Sequence, residues 1–277
     1  MAFPFCALRL AQYWRGKCAL CLETTDLQDS HFLPKAFYKL ARTAGETNPN
    51  PIVVNPNVAM KTSKQVSDFL LCAACEDRFN KSGESWMTSN CWRSDADFPL
   101  YFAIKAAKPA WASNDFSVYK GAEISGVDVR KLTYFAMSVF WRGGVHEFGP
   151  IAGHKPTKLE LGPYAEELRQ FLLGTAGFPS HVALAVTVSS TPETGRNEMM
   201  IFPWRKDHRP DMRQFSFVIP GVTFQMFTGK GMSKAIRDWC IVRSPANYIY
   251  MAPRMEEANL TNMAHLLAKS RPVGDLR

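Results

Sequence analysis

The 277-residue sequence has no apolar run approaching the roughly 18–20 residues that a bilayer span requires, so no membrane-crossing helix is expected. Its start, Met-Ala-Phe-Pro-Phe-Cys, lacks a basic segment followed by a long apolar stretch, and no signal peptide is expected. No glycine-rich phosphate loop occurs, Gly229-Lys230-Gly231 being too short, and there is no Ser/His/Asp signature. These absences argue against a P-loop nucleotide hydrolase and a serine hydrolase. Internal repeats and low-complexity tracts are also missing, which argues against a solenoid or a disordered chain.

What is present is a pattern of cysteines. Of the seven, four form two Cys-x-x-Cys pairs, Cys18/Cys21 and Cys72/Cys75. In such a pair two thiolates of one tight turn face a single ion, and two turns close the tetrahedron of a structural zinc site. The 50 residues between the pairs exceed the span of a compact zinc ribbon, so further elements must be inserted between them. Metal binding rather than a disulfide framework implies a reducing, cytoplasmic setting. Cys6, Cys91 and Cys240 read as small buried hydrophobes, with Cys91 a spare-ligand candidate.

The net charge of +8 is unevenly placed. Residues 1–99 carry 11 Lys/Arg and 10 Asp/Glu, whereas residues 100–277 carry 22 and 15. Four thiolates on one divalent cation add about −2 to the first part. Attraction for phosphate must therefore come largely from the second part.

Periodicity suggests an α+β chain in two parts. Residues 1–97 read as a zinc module: short helices over 6–15 and 32–43, a loop over 44–57, a strand over 66–71, and a helix from Glu76 to about Trp92 that Gly83 weakens. Residues 98–277 read as helices at 128–142, ending at Gly143-Gly144, and 163–174, followed by strands at 181–189, 198–202, 214–219, 222–228, 238–243 and 247–252. A closing helix is expected at 256–269. Helices followed by consecutive strands imply an antiparallel sheet.

Between the cysteine pairs lies Asp29-Ser30-His31-Phe32-Leu33-Pro34, and the second pair reads Leu71-Cys72-Ala73-Ala74-Cys75-Glu76. With Cys18-Ala19-Leu20-Cys21, these stretches resemble the HNH (ββα-metal) endonucleases on a treble-clef zinc scaffold. The pairing of Ser-His-x-x-Pro-Lys with Leu-Cys-x-x-Cys-Glu is also similar to a set of bacterial proteins with an HNH-like module. The resemblance covers roughly residues 15–90. It implies phosphodiester hydrolysis, with His31 as general base on a water and one divalent ion, Mg2+ or Mn2+, at the departing oxygen. Ser30 stands where the family carries a metal-binding Asp or His, and Glu76 where it carries Asn. One or two carboxylates suffice for Mg2+, and Glu76 with Glu84 or Asp29 is the candidate set. Glu84 lies eight residues past Glu76, about 80° round an α-helix.

Other charged residues are weaker candidates. Arg78 and Lys81 on the helix after Cys75, and Arg205, Lys206 and Arg209 in a basic loop at 203–210, are candidates for a nucleic-acid backbone. Arg142 ends the 128–142 helix, where it is expected to meet C-terminal carbonyls. His146, His154, His181 and His265 have no ligand spacing. Two further readings stay open: a catalytically inactive treble clef that binds nucleic acid or protein, and an effector module attached to a C-terminal sensor. A homo-oligomer or a protein partner would engage the C-terminal part.

Overall fold

The computed structural model describes residues 14–42, 47, 49–54, 58–149, 158–191, 197, 199–207, 211–253 and 271–273. The chain enters β1 (Trp14–Lys17), turns through Cys18–Cys21 and returns as β2 (Thr24–His31). Trp14–Lys17 is thus a strand where the end of a helix over 6–15 is expected; the rest of that helix lies outside the described residues. Pro34 precedes α1 (Lys35–Leu40), its fixed φ directing the chain into the first turn. β3 (Ile52–Val54), within the expected loop, pairs with β4 (Val58–Lys61). β5 (Ser67–Cys72) then lies antiparallel to β2, from Leu27 opposite Cys72 to His31 opposite Ser67, with a bulge between Gln28 and Asp29. The resulting sheet has the order β1-β2-β5.

At Cys72 the chain passes directly from β5 into α2 (Ala73–Phe79), a π-helical turn (Asn80–Glu84) and α3 (Ser85–Asn90). Gly83 explains the irregular turn. A Cβ there would lie 2.7 Å from the Phe135 backbone nitrogen and 2.9 Å from the Lys131 carbonyl oxygen. The helix presses its backbone against a later one, and only glycine permits that approach.

The remainder begins with α4 (Pro99–Lys105), opened by proline in its first turn, and the short strands β6 (Trp111–Ala112) and β7 (Ser117–Lys120). In α5 (Val129–Val145) the Asp128 carboxylate caps the start by accepting from the Lys131 amide at 3.0 Å. This helix runs past the expected stop at Gly143-Gly144. A Cβ on Gly144 would meet the Leu161 side chain, so the glycine serves close packing within the helix rather than termination. α6 (Tyr164–Leu173) does end on glycine, Gly174 at φ +80°.

Then follow β8 (Val182–Ser189), β9 (Ile201–Asp207), β10 (Arg213–Ile219), β11 (Val222–Thr228), α7 (Lys234–Asp238), β12 (Tyr248–Ala252) and β13 (Arg271–Val273). The main sheet has the order β6-β7-β12-β8-β11-β10-β9. It is mixed rather than antiparallel, because β12 runs parallel to β8. The cause is the segment expected as a strand at 238–243. Ser233 caps α7, accepting from the Ile236 amide, and the chain passes round the start of β8, where the Ile241 amide donates to the Leu184 carbonyl, before re-entering on the far side of β8. Residues 203–207 of the expected basic loop belong to β9, which pairs with β10. The expected helix at 256–269 lies outside the described residues.

One apolar core includes side chains from both sides of residue 97. Phe37 meets Phe135 edge-on at 5.9 Å, and Phe32 stacks between Phe148 and Phe202 at 4.4 and 5.4 Å. Among the described residues, no helix is long and apolar enough to cross a membrane.

Candidate metal centre and adjoining cleft

The β2–β5 ladder does what the spacing of the cysteines requires. It brings Cys72, at the end of β5, opposite Leu27 and beside the Cys18–Cys21 turn. That turn is tight: the Leu22 amide donates to the Cys18 carbonyl at 2.9 Å, with Leu22 at φ +68°. The Ala19 amide donates to Leu70 O at 3.0 Å and ties the turn to β5. Cys75 comes from the first turn of α2. The four sulfur atoms all lie within 4.8 Å of one another, with Cys21 and Cys72 at 3.9 Å. A zinc tetrahedron with Zn–S bonds near 2.3 Å has edges of about 3.8 Å.

The thiols are already polarised. A hydrogen bond from the Cys75 thiol holds Cys18 down at about 4, helped by backbone amides including that of Cys72 at 3.3 Å. The same bond, followed by burial, pushes the Cys75 thiol far up, and burial raises Cys21. One sulfur takes the charge that a divalent cation would let the group share. The four cysteines can therefore hold a metal ion and suit structural zinc. Cys91 is buried apart from them, its thiol on the Thr88 carbonyl, and Cys240 belongs to a second small apolar cluster. Cys6 lies outside the described residues.

Beside the cysteines a cleft of about 390 Å³ opens between the end of β2, the start of α1 and the α2–α3 helix. His31 lines it with Glu76 and Glu84, so these three predicted site residues come together. The π-helical turn contributes to this. It winds less per residue than an α-helix and reduces the angle between Glu76 and Glu84 that a regular helix would accumulate. Lys35, Asp77, Asn80, Thr88 and Arg142 complete the polar lining.

Arg142 differs from expectation. It does not cap α5. Its side chain is 1% exposed, lies over the Phe79 ring at 4.8 Å, donates to the Phe32 carbonyl at 3.3 Å and forms an ion pair with Glu84. Glu76 has no such partner. Burial raises its carboxyl, opposed by the charge of Arg142, the Ser30 hydroxyl and the charge of His31. Its Oε1 is buried without a hydrogen bond. Three carboxylates thus line one cleft in different states of compensation: Glu84 is paired with Arg142, Asp77 with Lys81, and Glu76 keeps one oxygen unbonded.

The remaining candidates lie elsewhere. Ser30 is fully buried and ties the bulge: its hydroxyl accepts from the Leu71 amide at 3.1 Å and donates to the Gln28 carbonyl at 3.3 Å. Asp29 is exposed and does not line the cleft. Arg78 and Lys81 are exposed and outside the cleft lining; Lys81 pairs with Asp77 at 2.7 Å. Arg205, on β9, bonds Glu160 at 3.4 Å. Lys206 belongs to the same strand, and Arg209 lies outside the described residues.

Sequence reasoning missed Arg142 as a cleft residue. The signal was its place on the apolar stripe of α5, seven residues after Phe135 and three after Val139, where a cation must be buried. Asn80 is four residues after Glu76 on the same helix, a spacing that would have included it. The chain matches no family model and no curated protein, and its fold matches no solved structure.

Proposed function

We propose that this protein is a metal-dependent phosphodiester hydrolase of HNH type, built on a zinc-stabilised treble clef. The observation that carries the reading is the shared cleft of His31 and Glu76 next to the four-cysteine cluster. Two residues picked from separate motifs face one space, and a rigid cross-link holds the strand and helix that deliver them.

His31 acts as general base. Its imidazole takes a proton from the water that attacks phosphorus, and the P–O bond on the opposite side breaks. Glu76 is the carboxylate open to Mg2+ or Mn2+, with Asn80 a nearby oxygen donor, Glu84 being engaged by Arg142. The donor set fits, since such ions prefer hard oxygen ligands and retain several waters. When bound, the ion supplies charge stabilisation at the departing oxygen. Nucleic acid is the substrate that suits the basic balance of residues 100–277.

The test is hydrolysis of single- and double-stranded DNA and RNA with Mg2+ or Mn2+ by wild type and His31→Ala. The reading requires activity that falls by about 100-fold or more in the variant, as for loss of a general base. Equal activity in the two proteins, or none on any substrate, rejects it.

A second reading rests on the occupied state of Ser30 and Glu84. With Ser30 tied to backbone and Glu84 paired to Arg142, the module would be a non-catalytic zinc scaffold that binds nucleic acid or protein. Mg2+ binding that disappears in Glu76→Ala counts against this reading.

A further inference from the structure

Among the described residues, Arg142 is the one from beyond position 97 in the cleft lining, and it touches both sides of the cleft. On one side it bonds the carbonyl of Phe32, the residue after His31. On the other it pairs with Glu84 at the end of the π-helical turn. Its guanidinium carbon lies over the Phe79 ring, 4.8 Å from the centroid. The side chain is almost wholly buried, so these contacts are made in a region that screens them little. A guanidinium is suited to this because it is planar, always charged and carries several fixed donors; a lysine reaches only one such point at a time.

We infer that Arg142 is a positioning residue of the cleft, acting through the Phe32 carbonyl and Glu84 to set His31 against the α2–α3 helix. The inference rests on the hydrolase reading above, and it makes chemistry at His31 depend on α5. Its contacts tie the two walls of the cleft together, so the expected effect is on the placement of the base, read in kcat. Displacement of a catalytic group by about 1 Å costs on the order of 100-fold in rate. Arg142 and Glu84 act as one unit, so losing either partner has nearly the whole effect.

The experiment uses the full zinc-loaded chain with Arg142→Lys, Glu84→Gln and the double variant, plus Glu123→Gln as an exposed control outside the cleft. Melting curves first establish that each variant is folded at the assay temperature. The expected result is a fall in kcat of about tenfold or more in both single variants, with KM within about twofold. The double variant falls no further than either single one. A second readout needs no turnover: the imidazole NMR signals of His31 shift in Arg142→Lys and Glu84→Gln and stay in place in Glu123→Gln. A folded Arg142→Lys protein with kcat within about twofold of wild type overturns the inference, as do additive losses in the double variant. If wild type cuts nothing, the hydrolase reading fails by itself. The His31 signals then decide: unchanged signals in Arg142→Lys overturn the positioning role, and shifted signals sustain it. Should Arg142→Lys fail to fold, Glu84→Gln carries the same two readouts.

Discussion

The guanidinium of Arg169, on α6, donates to the carbonyl oxygen of Leu20 at 2.6 Å, within the turn that holds Cys18 and Cys21. Glu166 aims it, accepting from Nε and Nη2 at 2.7 Å each. A helix far along the chain thereby braces the first half of the metal centre, so metal retention and the folding of the C-terminal part are linked.

Replacing Arg169 with Met leaves the Leu20 carbonyl without that donor and frees the turn. A lost hydrogen bond to a charged group costs about 1.5–3 kcal/mol. Each kcal/mol lowers the melting temperature by about 2–4 °C in a chain of this size. Arg169→Met should melt several degrees below wild type and release zinc faster to a chromogenic chelator. Unchanged release kinetics would show that the turn needs no brace.

Arg169, followed by Gln170, holds the Glu166 carboxyl down at about 2. A depressed folded-state value means stabilisation that is present above the ordinary carboxylate range and lost as pH falls toward 2. Glu166→Gln should therefore melt below wild type at neutral pH, the two curves converging on acidification. The side chain is largely exposed, so the gap should be small and shrink in high salt.

Glu76 should behave with the opposite sign. Burial, the main cause, raises its carboxyl, so the ionised form is disfavoured in the folded state. Its cost to stability is absent below the ordinary carboxylate range and fully present once pH exceeds the raised value. Without added Mg2+, Glu76→Gln should melt higher than wild type at neutral pH, and the advantage should vanish in acid. A buried oxygen without a partner costs about 1–3 kcal/mol, which sets the scale. A variant that melts lower at neutral pH would mean that the carboxylate is compensated.

Cys72→Ser and Cys18→Ser should each remove zinc. Wild type should carry one zinc per chain by elemental analysis, and either variant close to none, with a large loss of stability because the sulfurs join β5 and α2 to the first turn. Cys91→Ser, whose thiol lies apart from the cluster, should retain the metal.

Gly83→Ala tests the helix contact. Alanine favours a helix by about 1 kcal/mol over glycine, and on an isolated helix the change would stabilise. Here the new Cβ meets backbone atoms of α5 at 2.7–2.9 Å, and overpacking of this kind costs about 1–3 kcal/mol. The melting temperature should fall. Gly177→Ala, where a Cβ meets nothing within 4 Å, should stay near wild type.

Some of this could be read along the chain. Strands β8, β10, β11 and β12 appear as runs of period two, and the Asp128 cap and Gly174 stop are local signals. The His31–Glu76 grouping was legible because each residue sits at a fixed offset from a metal knuckle. Other features were hidden. The parallel pairing of β12 with β8 depends on where a turning segment lands, and the apolar run at 238–243 reads equally well as strand or turn. Asp29 fell outside the cleft lining although it stands two residues before His31 on β2, which a count of carboxylates does not reveal.

By itself the amino-acid order determined the ligand set, since two cysteines three positions apart must face one point whatever surrounds them, and it determined the elements whose periodicity is local. Only the tertiary structure decided which carboxylate is paired with a guanidinium and which keeps an unbonded oxygen, because that depends on Arg142 arriving from α5, 58 residues beyond Glu84. Local geometry is set by neighbours in sequence; the charge balance of a buried cleft is set by whatever the packed core brings beside it.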